Sequence, residues 1–237
     1  MMGNRKRSLG MKLNKWYSLL VSFIYFIYIY NTHIFEGASL LEYLNVLANF
    51  GAILLISSWL ISKSVIENTL DFIILCGFIL YLFILHSYVT YVDISYYFNQ
   101  DYVGNPFVNI ERINLIPFKT IYNDLLIVVA PVTVIQTIGN IILLAPLAFA
   151  LLSLKILTNK NKVIFTIILT TLFIEIFQFI QNFSVSGYLY SEGGHRAIDI
   201  DDILLNTLGG LIGVLVFILY NKTISNNTVN KKDVASN

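Results

Sequence analysis

Glu175 lies inside the apolar run from Val163 to Asn182. A charged side chain at the centre of a bilayer costs about 2.5 to 3.5 kcal/mol on insertion scales, so such residues usually face a bundle interior or a wet cavity. At 100° per residue, Gln178 and Asn182 fall on the Glu175 face of a helix, within roughly 60° of it. A second group starts at Arg196-Ala197-Ile198-Asp199-Ile200-Asp201-Asp202 and runs on to Asn206, Gly209, Gly210 and Gly213. With Asp199 as zero, Asp202 falls at roughly 300°, Asn206 at roughly 340°, Gly210 at about 20° and Gly213 at about 320°, so they share a stripe. Asp201, at roughly 200°, points away and reads as a solvated acid favoured by the helix N-terminus. Gln136 and Asn140, four residues apart, belong to a third apolar run at a similar depth. Acids and amides at one level and on facing stripes suit a polar pocket that binds by hydrogen bonds. Interhelical hydrogen bonding alone also fits Glu175 and Asn140, and the glycines suit close helix packing.

Other chemistries lack their residues. His33 and His86 stand alone near span ends, and His195 has no metal-ligand spacing around it, so no metal site is expected. Motifs for nucleotide phosphates or for a serine hydrolase elbow are missing, and no cofactor is expected. Cys76 is the single cysteine, which excludes an intramolecular disulfide. With 15 basic and 14 acidic side chains the formal charge is +1, so no global field recruits nucleic acid.

The elements that carry these residues follow from composition. The 237-residue chain is 57% hydrophobic and 12% charged, against roughly 25% charged in soluble domains. Its mean hydropathy of +0.73 excludes intrinsic disorder and points to lipid as the solvent. Lipid offers no partner to loose backbone groups, so long apolar runs must be helices. Six runs qualify: Trp16 to Phe35, Leu41 to Ile61, Leu70 to Val92, Val134 to Ile156, Val163 to Asn182 and Ile203 to Tyr220. The expected fold class is all-α, a polytopic membrane helical bundle of about six transmembrane helices. Basic residues favour the cytoplasmic side of short loops. With both termini inside, the inner segments hold Arg5, Lys6, Arg7, Lys12, Lys15, Lys63, Lys155, Lys160, Lys162, Lys222, Lys231 and Lys232, whereas the outer ones hold only Arg112, Lys119 and Arg196. The expected orientation is therefore N-in and C-in, with the long loop from Asp93 to Asp124 outside. Pro131 predicts a break before the fourth span.

Asn114-Leu115-Ile116-Pro117-Phe118, Gly139-Asn140 with Pro146-Leu147, Glu175 with Gln178, and Arg196-x-x-Asp199-x-x-Asp202 leading into Asn206-Thr207-Leu208-Gly209-Gly210 form an ordered set. In order and spacing it resembles the VanZ-like membrane proteins, over about residues 70–220. The resemblance implies an integral membrane protein of the bacterial cell envelope, in a family known for low-level resistance to teicoplanin-type glycopeptide antibiotics. Residues 1–66 then form an N-terminal basic segment with two added spans, and residues 221–237 a disordered cytoplasmic tail.

Two readings of function remain open. In the first, an outward-opening pocket binds a membrane lipid or a lipid-linked envelope molecule through Asn114, Asn140, Glu175, Gln178, Arg196, Asp199, Asp202 and Asn206. In the second, Glu175 and Asp202 form the carboxylate pair of an intramembrane acid/base enzyme acting on an envelope lipid. A transporter has less support, because the sequence lacks two halves with corresponding broken helices.

Overall fold

The computed structural model describes residues 14–94, 98, 113–127, 129–185 and 198–234. Among them, five helical stretches are long and apolar enough to cross a membrane: Leu40–Lys63, Thr69–Thr90, Pro131–Ser153, Lys160–Gln181 and Ile200–Thr223. The remaining expected span is a composite, a 3-10 helix over Lys15–Val21 continued by α1, Ser22–His33. Seven residues at ~2.0 Å and twelve at ~1.5 Å reach about 32 Å, close to the ~30 Å hydrocarbon thickness.

Local sequence sets the helix starts. Ser39 and Glu42 form a capping box at the head of α2, Leu40–Lys63, and Asn68 and Asp71 do the same for α3, Thr69–Leu85. A π-helical turn, His86–Thr90, extends α3. Strand β1, Ile113–Asn114, is followed by the one-turn α4, Lys119–Tyr122, and a second π turn, Asn123–Ile127. Pro131 opens α5, Pro131–Leu143, where its missing N–H costs nothing. Leu144 interrupts the path before α6, Ala145–Ser153, which carries Pro146 in its first turn. The Leu143 carbonyl at this break accepts a 2.7 Å hydrogen bond from the Tyr81 hydroxyl of α3, so it is not orphaned in lipid. Helix α7 covers Lys160–Val185, strand β2 Ile198–Asp199 and helix α8 Ile200–Val234. Helix α8 outruns the expected end at Tyr220, so residues 221–234 are helical where polar composition suggested a disordered tail. Propagation of an existing helix fixes one residue per hydrogen bond and avoids a new nucleus.

The bundle has two chemically distinct ends. At one, the Lys15 ammonium donates to the Ser62 and Ser64 carbonyls at 2.8 and 2.9 Å, Val65 N–H donates to the Leu154 carbonyl at 2.9 Å, and Lys155 pairs with Glu67. These are the segments that the charge bias assigns to one side. At the other end β1 and β2 pair in parallel, Ile113 with Ile198 and Asn114 with Asp199, so the two loops assigned to the opposite side do meet. Arg5, Lys6, Arg7, Lys12, Arg112, His195 and Arg196 lie outside the described residues.

Helix α8 packs against α5, α6 and α7. A Cβ at Gly209 would stand 2.0 Å from the Ile141 carbonyl oxygen, and one at Gly213 would stand 2.2 Å from that of Ala145. The glycines are thus required by close backbone approach. Phe83, Leu75, Ile79, Leu144 and Ile167 are buried, while Leu55, Ile73 and Phe165 are exposed, the all-round apolarity of helices solvated by lipid. Asn45 and Asn49 of α2 are buried and hold the end of the third span. Asn49 donates to the Val92 carbonyl at 2.8 Å and accepts from Val92 N–H at 3.1 Å, while Asn45 donates to the Tyr91 hydroxyl at 2.8 Å.

Candidate functional site

Between α5, α7, α8 and the π turn of the third span lies a cavity of about 640 Å³. It sits toward the β1–β2 end. Helix α5 contributes Gln136 and Asn140, α7 contributes Glu175 and Gln178, β2 contributes Asp199, and α8 contributes Asp201, Asp202 and Asn206. The shared depth read from helix geometry thus corresponds to one physical space. Asn182 is helical, but its side chain, like all of Arg196, lies outside the described residues.

The cavity wall is a hydrogen-bonded acid network. The Asn140 amide donates to the Asp202 carboxylate, linking α5 to α8. Asp199 is 7% exposed, and its Oδ1 accepts from the Asn114 side chain and from Asp201 N–H, both at 2.8 Å. Asp199 N–H makes a long, 3.5 Å contact to Glu175 Oε2. Glu175 is 3% exposed, deep enough that an ionised carboxylate must be compensated by such donors. Asn114 stands behind this wall: it does not line the cavity, and its amide bridges Asp199 and the Thr120 hydroxyl.

Asp201 requires a correction. Far from being a solvated first-turn acid, it is 1% exposed. Its carboxylate accepts from the main-chain N–H groups of Phe118, Thr120 (2.8 Å) and Ile121 (3.1 Å). Phe118 has a positive φ of 67° and offers no capping side chain, so α4 begins with orphan N–H groups that Asp201 satisfies from a distant helix. The helical wheel turned Asp201 away from the other acids, yet it lines the same cavity, because the segment folded over its face comes from another part of the chain. A signal existed in Ile116-Pro117-Phe118-Lys119, a helix start with no Ser, Thr, Asp or Asn at the cap position. Sequence reasoning also passed over Thr120, Asp124 and Tyr88, which line the same space.

Asn206 is 1% exposed, and its Oδ1 has no hydrogen-bond partner among the described residues. The arrangement offers many acceptors at one level of a membrane bundle, suited to a ligand rich in N–H or O–H groups. Among the described residues, no group of three or more His, Cys, Asp or Glu is arranged to hold a metal ion.

No curated protein and no solved structure matches the chain. The family model described as VanZ/LLP1 matches residues 72–221, a span that runs from α3 into α8 and includes every residue lining this cavity, and the chain is a multi-pass membrane protein belonging to that family.

Proposed function

We propose that this protein resides in the bacterial plasma membrane with its lysine-rich end in the cytoplasm, and that its acidic cavity opens outward to bind the polar part of a lipid-linked or lipidated envelope molecule. Asn206 carries the reading. Asn206 lines the cavity, and its buried Oδ1 has no partner among the described residues, a situation that costs roughly 1 to 3 kcal/mol and that a donor group on a ligand reaching it would relieve. Asn140, Glu175, Gln178 and Asp202 surround it with further acceptors, the provision expected for a sugar or peptide moiety.

The direct test is native mass spectrometry of the full chain purified in mild detergent. Envelope molecules should co-purify with the native protein and be lost from Glu175→Gln and Asn206→Leu variants that remain folded. Equal recovery from all three would overturn the reading. A phenotypic test follows from family membership. An acylated glycopeptide partitions into the bilayer at ~0.8 kcal/mol per buried CH₂ and can meet an intramembrane cavity, a route closed to a non-acylated one. Overexpression in a sensitive Gram-positive host should raise the inhibitory concentration of teicoplanin more than that of vancomycin, and Glu175→Gln should abolish the difference.

Two carboxylates from different helices facing one cavity, Glu175 and Asp202, favour a second reading as an acid/base enzyme acting on an envelope lipid. In that case Glu175→Gln abolishes turnover while the bound molecule is retained.

A further inference from the structure

A second cavity, of about 540 Å³, lies between α2, α3 and α7, on the other side of Ile174 from the acidic one. Its volume falls within the roughly 300 to 1,000 Å³ of small-molecule sites. Ile53, Ile56, Leu82, Phe173 and Phe177 make its wall almost wholly hydrocarbon. The few polar side chains on that wall are mostly engaged. Asn49 bonds Val92, the Thr170 hydroxyl donates to the Thr166 carbonyl at 2.9 Å, and Thr90 Oγ1 lies 2.8 Å from His86 Nδ1. The exception is His86 Nε2, on a residue 8% exposed, which has no hydrogen-bond partner among the described residues.

We propose that this second cavity holds the acyl chain of the same molecule whose polar part occupies the acidic cavity, with its ester carbonyl accepting a hydrogen bond from His86 Nε2. The inference rests on the polar-group reading above and adds where the tail goes. Three observations carry it. Ile56 and Phe173 are more than half exposed, so the cavity opens sideways to the lipid around the bundle. The π turn stands between the two spaces: His86 and Thr90 line the apolar one, Tyr88 and Val89 the acidic one, so that head and tail lie at one level on opposite faces of a single helix, separated by its diameter of ~10 Å. In the tautomer in which the Thr90 hydroxyl donates to Nδ1, Nε2 carries the ring proton, and an otherwise apolar chain presents one acceptor to it, its ester oxygen. Moving the chain from bilayer to cavity exchanges one apolar surrounding for another, so selection comes from fit and from this hydrogen bond rather than from hydrophobicity. Ile53 and Ile56 belong to α2, which precedes the family match at residues 72–221, so this second span supplies a wall of the tail site.

The test reconstitutes the full chain in vesicles containing a trace of monoglucosyl diacylglycerol with a diazirine in one acyl chain, alongside the ether-linked analogue. Photoadducts should concentrate on Ile56 and Phe173 rather than on lipid-facing Leu55, and the ester should label about fivefold more than the ether, the factor of one hydrogen bond. Ala52→Trp, which fills the cavity, should cut these adducts at least tenfold, with Ala48→Leu as a milder substitute if the Trp variant does not fold. His86→Ala should erase the ester preference. Equal labelling of Leu55 and Ile56, or of ester and ether in the native chain, would overturn the proposal. If the ester preference persists while Glu175→Gln and Asn140→Ala leave labelling unchanged, the tail site stands and the polar-group reading falls.

Discussion

The Asp201 carboxylate, in the first turn of α8, accepts a 2.8 Å hydrogen bond from the main-chain N–H of Thr120, a residue 81 positions earlier. Together with the bonds from Phe118 and Ile121, it makes one acid the N-terminal cap of a helix on another segment. That cap fixes Thr120 and Ile121 against the mouth of the acidic cavity, which both residues line. Asp201→Ala leaves three N–H groups without their acceptor and should lower stability by about 2 to 3 kcal/mol, read as thermal unfolding in detergent. Asp201→Asn keeps one acceptor oxygen and should lose roughly half as much. A variant as stable as the native chain would deny the contact.

The same logic applies at the end of the third span. Asn49 serves both the N–H and the carbonyl of Val92, where the π turn ends and the backbone leaves helical geometry. Asn49→Leu removes both partners from inside the bundle, and about 2 to 3 kcal/mol of stability should go with them. Hydrogen exchange at Val92 reports the change locally. Unaltered protection there would mean that water or another side chain replaces Asn49.

How much of this is legible in sequence depends on whether a residue's partner is set by its own helix. The spans are, because in lipid a long apolar run has no alternative to helix. Asn140, Glu175 and Asn206 stand out as polar residues in apolar runs, and a rise of ~1.5 Å per residue places them at one depth. Asp201 does not, because its partners belong to a loop whose path no periodicity encodes. Asn45 and Asn49 carry the same i, i+4 amide signal as Gln136 and Asn140, so the same reasoning applied to α2 reaches them. The composite first span is the opposite case. Its length is legible, but the 3-10 winding of Lys15–Val21 is not, since Trp, Tyr, Ser and Leu there fit either helix.

Glycines separate packing from mere presence. Gly209→Ala places a methyl 2.0 Å from a main-chain oxygen that cannot swing aside, and should cost about 1 to 3 kcal/mol through displacement of α8 from α5. Gly139→Ala meets nothing within 4 Å and should be neutral, or stabilising by up to about 1 kcal/mol through helix propensity. Equal melting temperatures for the two variants would refute the close approach.

Orientation is testable in cells. In a Cys76→Ser background, Leu115→Cys beside β1 should react with an impermeant maleimide on intact cells, while Asn159→Cys between α6 and α7 should react only after permeabilisation. The reverse pattern would put the lysine-rich end outside and turn the acidic cavity toward the cytoplasm.

The hydrogen bond from Asn140 to Asp202 joins α5 to α8 across the cavity, so its two ends should not behave as independent residues. Asn140→Ala strips the donor from a half-buried carboxylate; Asp202→Ala strips the acceptor from a half-buried amide. Each alone should cost stability, because the bond across the two helices is lost while the remaining group stays partly desolvated. The double variant removes both groups together and should cost less than the two single effects added, with a coupling of about 1 to 3 kcal/mol. Asn114→Ala, whose amide bonds Asp199 instead, supplies the control: paired with Asn140→Ala it should be additive within about 0.5 kcal/mol. Additivity in the Asn140 and Asp202 pair would mean that the two side chains do not meet in the folded protein, and the wall between α5 and α8 would have to be rebuilt from other contacts.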